Sequence, residues 1–345
     1  MILTFFKYLL LVIIILVLIV WAFLQFNPVF GGKPDAATQA RMQAAPNYQD
    51  GKFVNLEPTP SLVLKDENGN EIKGLQEQEF IWLGHSTIVG KLNGQTFLTD
   101  PVFYSASPVS FVGGKPYPYE YQTTSKDIPA IDVVVLSHDH YDHLEMRTIK
   151  EIKDRVGHFV VPLGVKAHLV RWGVDESKIT ELYWHEHVTL NGVTYTLTPN
   201  RHFSGRSLGG QNATLWGSYV ITTPDFKLFF SGDGGYGKHF AQIGQEYGPF
   251  DAAFIENGEY NEKWPNIHMF PHQSLQAAKD INTPKVVPIH WAKFDLSEHT
   301  WREPMDVYFS HKEQVNPTLQ VGTPVIGTTF SFKALPTTHW WESLQ

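Results

Sequence analysis

Ile131-Asp-Val-Val-Val-Leu-Ser-His138-Asp-His140-Tyr-Asp142-His143 joins an apolar, strand-like run to four metal-capable side chains within six positions. Alternate residues of an extended segment point the same way, so His138 and His140 can bind one ion. Asp142 and His143 follow a turn and can face a second ion beside it. A dication at the end of a buried strand offsets the desolvation of such polar groups. The alternative is a histidine-rich surface turn, which the strand context disfavours.

Further strand-like runs supply candidates for the remaining ligands. Two divalent ions that share one site need roughly seven or eight protein donors, one of them bridging. Three more apolar runs each lead into a metal-capable residue: Val193–Pro199 before His202, Lys227–Phe230 before Asp233, and Lys285–Pro288 before His290. Each residue alone is more typical of a packed histidine or a turn-forming aspartate. Their common position at strand ends indicates that together they complete one metal site.

The motif His138-x-His140-x-Asp142-His143, with the separate ligand candidates, resembles the metallo-β-lactamase superfamily. The similarity runs from about Pro46 to Pro304, and ascorbate-phosphate lactonases are a more distant resemblance. The resemblance implies an αββα sandwich of mixed α/β class, with a two-zinc site at the edge between the sheets. Narrower stretches are similar to the branch containing N-acyl-phosphatidylethanolamine-hydrolysing phospholipase D and its bacterial relatives: Ile81-Trp-Leu-Gly-His-Ser86, Leu98-Thr-Asp-Pro-Val-Phe103, Leu215-Trp-Gly-Ser218, Phe229-Phe-Ser-Gly-Asp-Gly-Gly-Tyr236, Ile289-His-Trp291 and His299-Thr-Trp-Arg-Glu-Pro304.

By the same resemblance, the seven ligand candidates divide into two sets with a shared carboxylate. The first zinc would be bound by His138, His140 and His202, and the second by Asp142, His143 and His290, with Asp233 bridging both. A zinc ion can lower the pKa of bound water from 15.7 to roughly 7, so activated water is the expected nucleophile. Asp233 is expected to be essential for catalysis because it balances two dications that would otherwise repel each other.

Two histidines outside this set receive expected roles. His268 stands where the phospholipase-like relatives carry a pocket histidine, so a catalytic role as substrate contact or proton donor is expected. An exposed loop histidine is the alternative. His85 follows the strand-like run Glu79–Leu83 and is expected to orient a metal ligand through a hydrogen bond. Asp139, Tyr141 and Ser231 suit either such a supporting role or simple loop formation.

Composition limits the class of protein. The chain has 345 residues, but ligands spread from position 138 to 290 must converge, which favours one catalytic domain. The net charge of −8 and the lack of a basic stripe argue against a nucleic-acid partner. The absence of cysteine excludes disulfides and thiolate zinc sites, so metal ligands must be histidine and carboxylate. Nothing in the sequence indicates an oligomeric state.

The N-terminus carries an uncharged apolar segment, Tyr8–Phe26. With the apolar residues before Lys7 it is long enough for a helix of about 20 residues to span a bilayer. A cleaved signal peptide is the alternative, but the apolar core exceeds the usual ~7–15 residues and no Ala-x-Ala-like site precedes Pro28. Because Lys7 precedes the span and the next positive residue is Lys33, the catalytic domain is expected across a single-pass membrane, in the periplasm if the source is bacterial.

The remaining organisation follows from local composition. We expect a membrane anchor at residues 1–26, an extended arm at 27–75 and a catalytic domain at 76–345. Within the arm, Ser61–Lys65 is expected to form a strand closed by a turn. Helix-like runs at Leu144–Arg155, Val165–Trp172 and Leu275–Ile281 alternate with strands, and the tail Gln320–Phe332 is expected to close a sheet edge.

The ligand set does not name the substrate, because metal-activated water attacks phosphodiesters, lactones and amides alike. The phospholipase resemblance and the apolar anchor favour a lipid or amphiphile. The loop Pro101–Tyr121 is aromatic, and an interfacial lip or an ordered cover over the sandwich explains it equally well. The main hypothesis is a phosphodiesterase of phospholipase D type. The alternatives are a lactonase or other ester hydrolase on the same two zincs, and a membrane-tethered binding protein without catalysis.

Overall fold

Two seven-stranded β-sheets pack face to face in the computed structural model, which describes residues 2–49, 51–53, 74–109, 114, 116–117 and 123–343. The strands are, in chain order, β1 (Tyr48–Gln49), β2 (Lys52–Phe53), β3 (Glu79–Trp82), β4 (Ile88–Leu92), β5 (Gln95–Thr99), β6 (Ile131–Val135), β7 (Val156–Pro162), β8 (Ile179–Leu182), β9 (His187–Leu190), β10 (Val193–Thr198), β11 (Ser218–Thr222), β12 (Lys227–Phe230), β13 (Ala252–Glu256), β14 (Lys285–Ile289), β15 (Gln320–Val321) and β16 (Thr329–Ser331). The helices are α1 (Ile2–Phe26), α2 (Ala36–Gln43), α3 (Met146–Ile152), α4 (Lys166–Arg171), α5 (His239–Tyr247), α6 (Pro271–Asp280) and α7 (Glu303–Val315).

The two sheets have similar arrangements of parallel and antiparallel strands. The first runs β16-β3-β4-β5-β6-β7-β8, and the second runs β15-β14-β13-β12-β11-β10-β9. Each combines parallel strands with antiparallel ones: β5 to β8 are parallel in the first sheet, and β12 to β15 in the second. This mixed topology is the sheet pair expected for an αββα sandwich, and the prediction of that fold is confirmed.

Strand β6 explains why the run before the histidine motif is continuously apolar. Val133 and Val135 point into the core between the sheets, whereas Val134 and Leu136 point to the outer side and pack with α3 and α4. Both faces of the strand are therefore buried, so the sequence Val133–Leu136 is continuously apolar instead of alternating between apolar and polar residues. Each buried valine or leucine contributes about 1.5–3 kcal/mol of transfer free energy.

Helices cover the outer faces of both sheets. Ile149, Ile152 and Leu169 from α3 and α4 join the cluster on the first sheet. On the second sheet the equivalent cluster includes Phe240 of α5 and Leu275 of α6. These two outer clusters and the one between the sheets form the helix–sheet–sheet–helix layers.

Chain direction brings several strand ends to one edge. Strands β12, β13 and β14 are parallel, and β10 has the same sense as β12 because both are antiparallel to β11. Polar loops that follow parallel strands meet at their common carboxyl edge. The segments after β6, β10, β12 and β14 are those that carry the expected ligands.

Helix α1 leaves the sandwich unaccompanied. Residues Lys7–Phe26 have a mean hydropathy of 3.1, and none of this stretch is buried inside the protein. At 1.5 Å per residue, 20 residues extend about 30 Å, the thickness of a bilayer's hydrocarbon core. Among the residues that the structure describes, this N-terminal helix is long and apolar enough to cross a membrane.

The three helix-like runs predicted from the sequence each correspond to a helix, two with shorter bounds and one, Leu275–Ile281, overlapping the longer α6 that begins at Pro271. The run Leu144–Arg155 contains α3 and a 3-10 turn at Lys153–Arg155, and the run Val165–Trp172 contains α4. The tail prediction is confirmed at two edges, since β15 pairs with β14 and β16 pairs with β3.

The arm contains more structure than its sequence indicates. Asp35 caps α2 by accepting a hydrogen bond from the Thr38 backbone, and Met42 and Phe53 are buried against the core between the sheets. The strand expected at Ser61–Lys65 lies outside the described residues. The division into anchor, arm and catalytic domain stays a prediction.

The aromatic loop and tail pack on the domain where they are described. Val102 and Phe103 are buried, which favours the ordered-cover interpretation for that part of the loop. Trp341 is also fully buried, and its indole nitrogen donates to Asp306 at 3.0 Å.

Candidate metal centre

Four loops place seven histidine and aspartate side chains at one edge of the sandwich. His138, His140, Asp142 and His143 follow β6, and the other three follow β10, β12 and β14. In chain order those three are His202, Asp233 and His290. The structure thus brings together all seven residues that the sequence singled out, although their assignment as ligands stays a prediction.

The first group consists of His138, His140, His202 and Asp233. His140 Nδ1 lies 2.9 Å from His138 Nε2 and 3.2 Å from His202 Nε2. Asp233 Oδ2 lies 3.0 Å from His202 Nε2. Three imidazoles and one carboxylate oxygen therefore converge on one small volume.

The second group consists of Asp142, His143 and His290, with His85 beside them. His143 Nε2 lies 3.1 Å from His290 Nε2 and 3.4 Å from Asp142 Oδ2. His290 Nε2 lies 3.8 Å from the same Asp142 oxygen. This group is a second convergence of nitrogen and oxygen donors next to the first.

Asp233 stands between the two groups. Its Oδ2 atom lies 3.0 Å from His202 Nε2 and 3.9 Å from His138 Nε2 in the first group. The same atom lies 3.4 Å from His290 Nε2 and 3.6 Å from His143 Nε2 in the second. One carboxylate oxygen that faces four imidazole nitrogens is in the position of a bridging ligand.

The hydrogen bonds of the imidazoles test whether metal ions fit here. His143 Nδ1 lies 2.7 Å from Asp100, and His202 Nδ1 lies 3.0 Å from the Ile267 carbonyl. Both partners only accept, so these Nδ1 atoms carry the protons and the Nε2 atoms present lone pairs to the cluster. Lone pairs at such short separations repel unless a cation lies between them. The His/Asp groups therefore indicate a dinuclear metal site.

The charge states of the cluster agree with that interpretation. Burial lowers the pKa of His138 well below its usual value, and burial and His202 lower the pKa of His140 to about 4. Burial would raise the pKa of Asp233, but the histidines around it hold the pKa well below the usual range. Neutral His138 and His140 beside an ionised Asp233 are protonation states that bind a metal, whereas the burial of His143 is outweighed by Asp142 and Asp100, which raise its pKa.

His85 lies within hydrogen-bond distance of a ligand carboxylate. Its Nε2 is 3.0 Å from Asp142 Oδ2, and the backbones of His85 and His290 are joined because His290 N donates to His85 O at 2.8 Å. This position suits the orienting role expected for His85, which stays a prediction.

His268 contacts the bridging carboxylate and a further buried acid. Its Nδ1 lies 2.9 Å from Asp233 Oδ1 and 2.8 Å from Glu256 Oε1. Burial opposes the imidazolium, but the two carboxylates outweigh it and raise the pKa of His268. His268 is buried beside the cluster rather than exposed on a loop, which removes the alternative interpretation.

Two supporting acids were missed by the sequence interpretation. Asp100, fully buried after β5, accepts from Ser137 N at 2.7 Å and from His143 Nδ1. Glu256, the last residue of β13, holds His268. Both stand at strand ends, as the ligand candidates do, and that position was the available signal.

The loop around Asp233 depends on a close backbone approach. Gly232 has φ +60°, and a Cβ there would lie 2.6 Å from Ser137 Cβ. Any larger residue would push the Ser-Gly-Asp turn away from the loop that starts at Ser137. The glycine thus sets the position of Asp233 against the histidine motif.

A cavity of about 220 Å³ opens over the cluster. His140, Asp142, His202, Asp233 and His268 form its polar wall, and Ala106, Phe203 and Leu296 form its apolar wall. A larger cavity of about 760 Å³, near Asp225 and Lys333, contains none of the cluster residues. The smaller cavity is therefore the one that can hold a substrate at the metal centre.

Comparison with known proteins agrees with this architecture. A family model described as a beta-lactamase superfamily domain matches residues 95–291. An uncharacterised protein of Mycobacterium tuberculosis is 36% identical over 333 residues, covering 87% of this chain and 89% of the relative. The N-acyl-phosphatidylethanolamine-hydrolyzing phospholipase D 1 of Caenorhabditis elegans is 34% identical over 243 residues, covering 65% of this chain and 67% of that protein.

A solved structure shows the same fold. A metallo hydrolase from the archaeon Ignicoccus hospitalis superposes with a TM-score of 0.54 at 21% identity, covering 73% of this chain and 97% of that one. The matched family model spans the histidine motif and every strand end that contributes to the cluster. The chain belongs to the beta-lactamase superfamily and is a metal-dependent hydrolase with the metallo-β-lactamase fold.

Proposed function

We propose that this chain is a membrane-anchored dinuclear zinc hydrolase that cleaves a phosphodiester bond in N-acyl-phosphatidylethanolamine-like lipids. One observation carries the proposal: Asp233 Oδ2 faces imidazoles of both groups at 3.0–3.9 Å, in a chain 34% identical to a phospholipase D named for that substrate. The family membership leaves the non-catalytic binding protein without support.

The donor set suits zinc, which we take as the metal. The ligands are imidazoles and carboxylates, and the chain has no cysteine. Atoms that each lie 2.0–2.1 Å from one tetrahedral zinc are roughly 3.3–3.4 Å apart, close to the separations of 2.9 and 3.2 Å around His140 Nδ1. When bound, a pair of such ions polarises a phosphoryl oxygen and lowers the pKa of water to about 7.

The protein's own groups would bind, orient and move protons. Hydrolysis adds water to phosphorus and breaks the bond from phosphorus to the ethanolamine oxygen, which releases phosphatidic acid and an N-acylethanolamine. The water loses a proton and the leaving oxygen gains one. Asp233 and His268, 2.9 Å apart, are placed to pass that proton, and Glu256 holds the imidazole ring in position.

A lipid substrate accords with the rest of the chain. Helix α1 supplies a membrane anchor of about 30 Å, and the cavity joins a polar wall to the apolar side chains Phe203 and Leu296. The scarcity of positive charge after the span supports an extracytoplasmic catalytic domain. Substrate and enzyme would then share one membrane.

The test uses purified full-length protein in mixed micelles. N-acyl-phosphatidylethanolamine and a panel of lactones are offered separately, and the products are identified by mass spectrometry. We expect phosphatidic acid and N-acylethanolamine in equal amounts, with loss of both in Asp233→Asn. Asp154→Asn, at an 84% exposed side chain, is the matched control and should behave as the parent. Turnover of lactones with intact lipid would support the lactonase instead.

A further inference from the structure

The backbone that leaves α1 is tied to the catalytic domain at once. Within Phe26–Gly32, hereafter the juxtamembrane segment, Arg171 donates to the Phe26 carbonyl at 3.1 Å and Trp172 donates to the Pro28 carbonyl. Arg206 Nε donates to the Val29 carbonyl at 3.2 Å. Side chains of the domain thus bind three backbone carbonyls at the end of the apolar helix and just after it. In a free linker, these carbonyls would be hydrogen-bonded to water instead.

Two glycines let this segment lie flush against α4. A Cβ on Gly31, which has φ +79°, would lie 2.0 Å from His168 Nδ1, and one on Gly32 would lie 2.2 Å from the Ala167 carbonyl. Real Cβ atoms do not approach so closely, so only glycine fits. The contact is completed by Gly32 N, which donates to His168 Nδ1 at 3.2 Å.

The side chains that bind the segment also bind the histidine motif. Because His168 Nδ1 accepts from Gly32, its Nε2 carries the proton and donates to Asp139 Oδ2 at 3.0 Å. Arg206 Nη1 donates to the Asp139 carbonyl at 2.8 Å, and Tyr141 donates to the Arg206 carbonyl at 2.5 Å. Asp139 and Tyr141 alternate with the ligand candidates in the histidine motif. A single side chain, that of His168 or Arg206, therefore contacts both the juxtamembrane segment and the loop that carries this motif.

Exposed apolar side chains mark the same face. Outside α1, three large hydrophobic residues are exposed in the described part of the chain: Val170, Leu208 and Val325, at 41%, 79% and 43%. Val170 adjoins Arg171, and Leu208 lies two residues beyond Arg206, so two of the three flank the juxtamembrane segment. An exposed leucine near the end of a membrane helix can insert into the apolar interior of the bilayer.

We propose that the face carrying Val170 and Leu208 lies on the bilayer, held there by the juxtamembrane segment, and that substrate enters the metal cavity directly from that leaflet. The leaflet entry rests on the proposed lipid hydrolase. The occupant of this face is the lipid bilayer, because the face is continuous with a span of about 30 Å. The cavity of about 220 Å³ is below the roughly 300–1,000 Å³ of clefts for drug-sized ligands, so it admits the headgroup while the acyl chains stay in the membrane.

The first experiment measures membrane depth and does not depend on activity. Because the chain has no cysteine, single cysteines at Leu208, Val170 and Val325 can each carry one environment-sensitive fluorophore. Full-length protein is reconstituted in vesicles that contain nitroxide-labelled lipids. We expect a blue shift and quenching at 208 and 170 but not at 325. A label at 208 that responds as the label at 325 does would overturn the proposal.

The second experiment separates attachment from chemistry. Ten Gly/Ser residues inserted between Phe26 and Asn27 lengthen the connection while all domain contacts from Pro28 onward are kept. We expect vesicle-borne lipid to be hydrolysed at least tenfold more slowly, and a short-chain, monomeric N-acylated phospholipid to be hydrolysed at the parent rate. Equal rates for both substrates in parent and insertion variant would contradict leaflet entry.

A matched pair of substitutions tests the surface itself. Leu208→Asp should slow hydrolysis of vesicle lipid by about tenfold, since it exchanges a membrane-buried leucine for a charge, whereas Val325→Asp should not. Equal rates in the two variants would also contradict the proposal. Failure of the lipid hydrolase itself would appear differently, as no lipid turnover in the parent despite normal label depths.

Discussion

Replacement of Asp100 by asparagine should selectively weaken metal binding at the Asp142, His143 and His290 group. Asp100 is fully buried and accepts from Ser137 N at 2.7 Å, Ser137 Oγ at 2.5 Å and His143 Nδ1 at 2.7 Å. As an anion that only accepts, it keeps the His143 proton on Nδ1. The Nε2 lone pair is thereby directed at the metal position, 3.1 Å from His290 Nε2.

An asparagine cannot satisfy these partners in either orientation. If its NH2 group replaces Oδ1, it faces the Ser137 N–H, and two donors meet in a buried site. If the NH2 replaces Oδ2, His143 must move its proton to Nε2, the atom that should bind metal. Loss of a charge-assisted hydrogen bond costs about 1.5–3 kcal/mol, which corresponds to roughly 10–150-fold in affinity. Losses of partners that support metal ligands are typically about 10–100-fold.

Zinc competition with a chromophoric chelator measures this effect directly. We expect one tight zinc and one zinc weakened by about 10–100-fold in Asp100→Asn. Asp132→Asn is the matched control, because Asp132 is an exposed carboxylate of β6 that accepts from Thr96 N. Thermal unfolding by circular dichroism separates an altered site from an unfolded chain. Two zincs bound with parent affinity by folded Asp100→Asn would refute the reasoning.

Three further predictions follow from the site and the core. His268→Ala should keep about two metals, because its contacts are to Asp233 and Glu256, but lower kcat by about 10²–10⁴; metal loss in this variant would make His268 a ligand instead. Chelation should lower Tm in proportion to the affinity lost, whereas an unchanged Tm with full metal removal would mean that the ions do not stabilise the fold. Phe80→Ala should cost about 3–5 kcal/mol in urea unfolding, since Phe80 is fully buried among five phenylalanines; a loss below 1 kcal/mol would contradict the packing.

The sandwich could be predicted because each ligand candidate follows the end of an apolar run that forms a strand. The run Ile131–Leu136 is apolar on both faces, as a strand between two packed layers must be, and the histidine motif marks its end. The same combination recurs before His202, Asp233 and His290. Strand ends that must converge on a shared pair of ions restrict the topology far more than periodicity does.

Features made by single hydrogen bonds were harder to predict. Asp100 and Glu256 support His143 and His268, but each is one acid at a strand end with no repeated pattern around it. The anchoring of the juxtamembrane segment is equally hidden, because Arg206 and Trp172 bind backbone carbonyls, which any residue carries. Short helix α2 was missed since its signal is one capping residue, Asp35.

Metal analysis of the purified chain tests the central claim most directly. Elemental analysis after dialysis should give two zinc ions per parent chain and fewer than one in folded Asp233→Asn, whose bridging oxygen faces both groups. Asp154→Asn should retain two. A folded parent chain without bound metal in zinc-supplemented buffer, or full zinc occupancy in Asp233→Asn, would contradict a dinuclear centre bridged by Asp233.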